Sequence, residues 1–339
     1  MKKYFLGGKG KFYKAQLHAH STVSDGILTP QQLKDAYMVR GYSILAFSDH
    51  EILVPHNELS DENFLAITAY EQSVNERFDG TEFQFLKCYH LNFISKDKNR
   101  SWTPCYNKDN VAWLEKLHPQ TTDEQKQIHY PIAYNNAQLN DMLQKAKEHG
   151  FLVVLNHPSW SQQSYVDYID LDGLWGVEVY NHSAAVNGFY DTIIPFEDLL
   201  KAGKDVVPIS ADDMHDFLGA FGSFTMIEAE SLDYDGVLRS MEDKRLYASN
   251  GPTIDELFME DGKLTLRCSK VSEVVLRTER RWIKCTRGEN LTEVTFDISE
   301  WLAGNKRMQE RKRAYIRLAI KDKNGKMAWT RAYFEDEFE

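Results

Sequence analysis

Leu17-His18-Ala19-His20-Ser21-Thr22-Val23-Ser24-Asp25-Gly26, followed by Ile44-Leu45-Ala46-Phe47-Ser48-Asp49-His50, carries the reading on which the fold turns. In the second stretch an apolar run stops at carboxylate and imidazole, and the same ending recurs outward along the chain. Glu71 follows Phe64-Leu65-Ala66-Ile67, and His90 stands in a short strand-like run. His157 follows Phe151-Leu152-Val153-Val154-Leu155, and Asp213-Met214-His215 follows Val206-Val207-Pro208-Ile209. Side chains two apart on a strand share a face, so His18 with His20, and Asp213 with His215, reach one site together. Strand ends that each deliver a ligand point to a multinuclear metal centre at the rim of a barrel.

The totals agree with a folded enzyme-sized chain. Its 339 residues suit two domains or one large barrel with an appendage, and 42% hydrophobic content supplies a core. A net charge of −11 argues against a broad nucleic-acid face, which needs clustered Lys and Arg. A small phosphorylated substrate stays open, because bound divalent ions would dominate the local field. Cys88, Cys105, Cys268 and Cys285 have no C-x-x-C spacing and read as free thiols of a reducing compartment. No signal-peptide h-region and no membrane span stands out, so a cytoplasmic location is expected.

Strand-like runs alternate with helical patterns over residues 1–252, the mark of an α/β fold. The first helix is predicted after the first ligand group, capped by Thr29, with Pro30 in its first turn and Gly41 as its stop. Further helices are predicted from about Asn135 to Gly150, Asp191 to Ala202 and Asp235 to Lys244. Residues 95–134 break the rhythm as a polar, aromatic-containing insertion and possible lid. Residues 253–339 alternate apolar and polar, with turn signals at Asp261-Gly262 and Asn324-Gly325. They read as a small all-β, sandwich-like domain.

The candidate ligands are His18, His20, Asp25, His50, Glu71, His90, His157, Asp213 and His215. Imidazole with carboxylate and no thiolate suits Zn²⁺, Mn²⁺ or Fe²⁺, and nine donors match two or three ions. Asp49 and Asp212, beside ligands, are candidates to orient imidazoles or hold a water. His182 or Asp212 is a candidate proton donor to a leaving alkoxide. Trp160 and Asn181 are candidate substrate contacts. Arg77, Lys96 and Arg100 offer a loop-borne phosphate clamp, although surface charge is the simpler account of each. His56, His118, His129 and His149 read as ordinary structural or surface histidines. H-x-H or D-x-H alone is weak evidence; five runs ending in His, Glu or Asp together are not.

These motifs carry a resemblance. The string His18-x-His20, Ser24-Asp25-Gly26, Pro30, Ala36, Gly41 and Ser48-Asp49-His50 looks like the opening of the PHP (polymerase and histidinol phosphatase) superfamily. Glu71, His90, Asn156-His157-Pro158 and Asp213-x-His215 fall where that family places its remaining ligands. The resemblance spans about residues 12–250 and implies a distorted (β/α)7 barrel with a trinuclear site. One metal would be held by His18, His20, Glu71 and Asp213, a second by Glu71, His90 and His157, and a third by Asp25, His50 and His215. Ser48, Glu51 and Asp212 depart from the residues common at those positions, as does the long interval between His90 and His157. The expected function is hydrolysis of a small phosphomonoester or nucleotide by a metal-activated water. Competing readings are an exonuclease on short single strands, an amide- or lactone-cleaving barrel hydrolase, and a non-catalytic metal-stabilised scaffold.

Overall fold

Among the described residues, ten strands precede residue 253. They are β1 (Lys3–Leu6), β2 (Lys11–Gln16), β3 (Ile44–Phe47), β4 (Leu65–Arg77) and β5 (Phe85–Ser95), then β6 (Phe151–Leu155), β7 (Gly176–Asn181), β8 (Val207–Ala211), β9 (Phe224–Ala229) and β10 (Leu246–Ser249). The computed structural model describes residues 2–77, 85–111, 125–189, 193–305 and 313–339. β3, β6 and β8 are buried at every position. That is why they read as unbroken apolar runs rather than as alternation: a strand covered on both faces has no polar side to show.

Strands β2 to β8 lie side by side in chain order. The pairs β2/β3, β3/β4, β6/β7 and β7/β8 are parallel, whereas β4/β5 and β5/β6 are antiparallel. The segments just past β2 and β8 meet through a parallel bridge between Ala19 and Met214, with Asp213 N donating to His18 O (2.9 Å) and His20 N to Met214 O (3.0 Å). The fold is α/β with a large mixed sheet. Its two antiparallel steps, β4/β5 and β5/β6, depart from a uniform parallel βα repeat, and β4 and β5 pair over most of their length. Glu71 consequently sits inside β4, not at a strand end.

The predicted helices form. The first, Pro30–Met38, has a capping box: Thr29 Oγ1 accepts from Gln32 N, and Gln32 Oε1 accepts from Thr29 N. Gly41 then takes φ +78°, a conformation that costs glycine little. Helix Asn136–Glu148 buries Leu139, Met142, Leu143 and Ala146 against the core containing β5 and β6 side chains. Helices Ile193–Lys201 and Tyr234–Glu242 follow β7 and β9.

Beyond residue 253 come β11 (Ile254–Glu260), β12 (Lys263–Thr278), β13 (Ile283–Asp297), β14 (Tyr315–Lys321), β15 (Met327–Thr330) and β16 (Tyr333–Phe334). Asp261 and Gly262, both at positive φ, make the two-residue turn between β11 and β12. Leu264, Leu266 and Cys268 share a core with Val294, Phe296 and Ile298, and with Ile316, Leu318 and Ile320. Irregularities between Arg267 and Glu273 let the first part of β12 pair with β11 and the last part with β14. These strands are continuous with the rest: β15 also pairs with β10, and β1 pairs with β11.

The described parts of the 95–134 stretch are tied down. Cys105 and Tyr130 belong to the main core, and Asn107 Nδ2 donates to Tyr130 O. Trp113 and His118 lie outside the described residues. Among the described residues, no helix is long and apolar enough to cross a membrane.

Candidate metal centre

All nine candidate ligands converge on one end of the β2–β8 array. Glu71 lies at the middle. Its Oε1 is 3.2 Å from both His18 Nε2 and His90 Nδ1 and 3.4 Å from His157 Nε2, while Oε2 is 3.0 Å from His50 Nδ1. Asp213 Oδ1 is 3.1 Å from His18 Nε2 and 3.2 Å from His20 Nε2. Asp25 approaches His215 at 3.4 Å and His50 at 3.6 Å. Three groups have ligand atoms close enough to hold an ion: His18 with His20 and Asp213, His18 with Glu71 and His157, and His20 with Asp25, His50 and His215.

The donor chemistry fits cations. His18 Nδ1 donates to Glu178 Oε1 at 2.8 Å, which leaves the Nε2 lone pair facing Glu71 and Asp213. Carboxylate oxygens and imidazole lone pairs therefore point at one another, and His50 Nδ1, Glu71 Oε2 and Asp213 Oδ1 are buried without a hydrogen-bond partner among the described residues. Buried orphans of that kind need an explanation, and divalent ions between them supply it.

The same crowding perturbs protonation. Burial opposes charge on His18, yet Asp213, Glu71 and Glu178 raise its pKa well above the usual histidine value. Burial likewise disfavours the Glu71 carboxylate, but His90 and His18 hold its pKa well below the ordinary range. His18 and His20 do the same for Asp213. His20 is pushed down by burial and by His215 and His50.

Depth is graded. His18, His20, Glu71 and His157 are buried, whereas Asp25 is exposed and His215 half-buried. Asp25, His50 and His90 open onto a cleft of about 510 Å³ whose other walls include Trp160, Ser73 and Asn110. Trp160 is 41% exposed there, its ring 4.9 Å from that of His157 and 5.5 Å from that of His90. Among the described lining residues the one cation is Lys87, and its ammonium is already paired with Asp167 at 2.8 Å.

Several other expectations need correcting. Asn181 is fully buried behind the ligands, donating to Glu178 and capping helix His182–Val186, so it does not face the cleft. Asp49 spends its carboxylate on Ser21 and Ser24, accepting from both backbone amides and both hydroxyls. It holds the turn that presents Asp25 and touches no imidazole directly. Asp212 accepts from Tyr37, from the amides of Phe221, Gly222 and Ser223, and from the Ser223 hydroxyl. Burial raises its pKa to about 6, but it too points away from the cleft. His182 is packed against Tyr180 and so close to Gly222 that a Cβ there would fall 2.1 Å from its ring. Lys96 pairs with Glu242, and Arg100 lies over Trp102 and Phe151. The Arg77 side chain lies outside the described residues.

Glu178 and Ser161 had no place in the sequence reading, and Asn156 entered it only as a neighbour of His157 in the Asn156-His157-Pro158 motif. Glu178 accepts from His18 Nδ1 through one oxygen, and from His157 N and Asn181 Nδ2 through the other. Asn156 Nδ2 donates to Glu71 Oε1 at 2.7 Å, and Ser161 Oγ meets His157 Nδ1 at 3.1 Å. Of Glu178 and Ser161, only Glu178 left a signal: a carboxylate inside the apolar run Gly176-Val177-Glu178-Val179.

No family model matches the chain. A curated 5′-3′ exoribonuclease of Haemophilus influenzae is 25% identical over 162 residues, 46% of this chain and 56% of that protein. The chain thus matches about half the relative's length. Among solved structures, a two-domain protein of Bacteroides vulgatus is similar over 98% of both chains, at 14% identity and TM-score 0.46; it is described as containing a predicted PHP-like metal-dependent phosphoesterase. A lesion-specific endonuclease of Pyrococcus furiosus is similar over 69% of this chain and 56% of its own, at 12% identity and TM-score 0.41.

Proposed function

We propose that the chain is a PHP-superfamily metal-dependent phosphoesterase acting on a small phosphomonoester or nucleotide. The observation that carries this is the convergence of six imidazoles and three carboxylates, with orphaned lone pairs, at the floor of an open cleft. The distorted (β/α)7 barrel is part of the proposal. It is supported by the in-order β2–β8 array and the Ala19–Met214 bridge. So is the division into residues 1–252 and 253–339.

His18, His20, Glu71 and Asp213 would hold one ion, Glu71, His90 and His157 a second, and Asp25, His50 and His215 a third, with Zn²⁺, Mn²⁺ or Fe²⁺ as candidates. Such ions, when bound, acidify water and stabilise charge on phosphate oxygens. The protein's own work is positional. Glu178 fixes the His18 tautomer and holds the His157 backbone, where φ is +26°. Asn156 and Ser161 aim Glu71 and His157. Asp49 and Gly26 set the turn carrying Asp25, and Trp160 offers an apolar wall to a base or sugar.

A long polymer is disfavoured, because the described cleft has no basic track while Asp25, Glu51 and Asp109 line it. The exoribonuclease relative keeps removal of terminal nucleotides from short strands as the second reading. The test is elemental analysis of protein purified without chelator, with phosphate release measured from monoesters, nucleotides and oligonucleotides. His157→Ala should remove most activity with little loss of fold. Turnover at the native rate in that variant, or protein free of metal and inactive with added manganese, refutes the assignment.

A further inference from the structure

Away from the metal centre, a second cavity of about 520 Å³ lies where β7 and helix Ile193–Lys201 face β14 and β15. Its volume is that of a small-ligand site. One wall is apolar and aromatic: Tyr180 and Trp329 lie nearly parallel, ring centroids 6.5 Å apart and planes 22° apart, beside Ile194 and Met327. The opposing chemistry is cationic. Arg317 lines the cavity yet is 2% exposed, and its Nε and Nη1 have no hydrogen-bond partner among the described residues. A buried guanidinium with idle donors is costly unless something accepts from them.

The nearby carboxylates are already engaged. Glu197 serves Arg317 and also lies 3.9 Å from Arg277. Asp198 takes the Tyr168 hydroxyl and Lys201. Glu273 takes Arg287 and Lys321. Five cationic side chains thus stand against three carboxylates in a chain whose overall charge is −11. Burial alone lowers the Arg317 pKa, to about 10, which still leaves it charged at neutral pH.

We infer that this cavity is a second ligand site, for a small oxyanion carried on a flat apolar body, with Arg317 accepting the anion and Tyr180 with Trp329 the ring. Arginine suits carboxylate and phosphate groups alike, so the shared chemistry is an oxyanion presenting two oxygens to the guanidinium. The site lies between the β7 side of the α/β part and the C-terminal strands, and Val179 on its wall adjoins Glu178 of the metal centre.

The test is isothermal titration calorimetry on the full-length metal-loaded protein with benzoate and with phenylphosphonate, whose P–C bond a phosphoesterase does not cleave. At least one probe should saturate a single site that Arg317→Met and Ile194→Glu each weaken tenfold or more. Which probe binds distinguishes carboxylate from phosphate. Ile194 is 53% exposed at the rim, so Ile194→Glu places a repelling charge there without disturbing the core, and phosphate release should be unchanged. It decides the matter if Arg317→Met fails to fold. Absence of saturable binding by either probe, or affinity indifferent to Ile194→Glu, overturns the inference.

Discussion

Replacing Glu178 by glutamine removes one charge and no volume, yet it should cost the metal centre much of its affinity. The two carboxylate oxygens take three donors: His18 Nδ1 at 2.8 Å, His157 N at 2.8 Å and Asn181 Nδ2 at 2.9 Å. Glutamine keeps a single acceptor oxygen and puts an NH₂ in place of the other. If that oxygen stays with His18, the His157 amide and Asn181 face a donor. If it turns to His157, then His18 faces the donor and is driven to the tautomer whose Nε2 carries hydrogen toward the ligands. The first arrangement leaves buried donors unpaired, at about 1–3 kcal/mol, and the second takes the His18 Nε2 lone pair away from the metal centre, a loss of the same order. With 1.4 kcal/mol to a factor of ten, affinity should fall roughly 5- to 150-fold, in line with the 10- to 100-fold typical of groups that support ligands from behind. Chelator competition with zinc measures the loss, phosphate release should track metal occupancy, and urea melts of both loaded proteins report the fold. Affinity within twofold of native, with unaltered melting, would refute the reasoning.

Three other outcomes are expected. Gly26→Ala would place a Cβ 2.2 Å from the His20 carbonyl oxygen, backbone that has no easy retreat. The turn bearing Asp25 should shift, and elemental analysis should show loss of the ion shared by Asp25, His50 and His215 before the others. Chelation should lower the melting temperature by about 4 °C, from roughly 2.7 kcal/mol of linked binding at a hundredfold excess over Kd and about 1.4 °C per kcal/mol for a chain of 339 residues; calorimetric scans with and without chelator check it. Trp160→Ala should raise KM for nucleotide substrates by roughly 2- to 10-fold with little change in kcat, because the ring's contribution is a stacking surface of about 0.5–1.5 kcal/mol; steady-state kinetics would show the split.

Most of the nine candidate ligands were legible because they are polar groups set against an apolar run, and such contrasts survive in one dimension; Asp25, in Ser24-Asp25-Gly26, reads alone as a turn. The residues supporting the ligands were not legible. Asn156 and Ser161 are ordinary polar side chains whose role exists only once Glu71 and His157 arrive from other strands. Neighbours of ligands misled for a related reason. Asp49 and Asp212 adjoin His50 and Asp213, but adjacent residues on extended chain point opposite ways, and both carboxylates were drawn into tying down turns. The register shift between Glu178 and Tyr180 shows the limit of periodicity: it turns Tyr180 toward the second cavity while Glu178 stays with the ligands. The antiparallel pairing of β4 and β5 escaped notice as well, since an alternating pattern does not say which neighbour a strand will choose.

The pairing of β1 with β11 has a consequence for how the molecule comes into being. Tyr4, Phe5 and Leu6 are made about 250 positions before the residues they pair with. At a synthesis rate of about 5–20 residues per second, that strand waits roughly 12–50 s on the ribosome for its mate. An apolar edge left open for so long is a natural target for holding chaperones and, at high expression, a seed for aggregation.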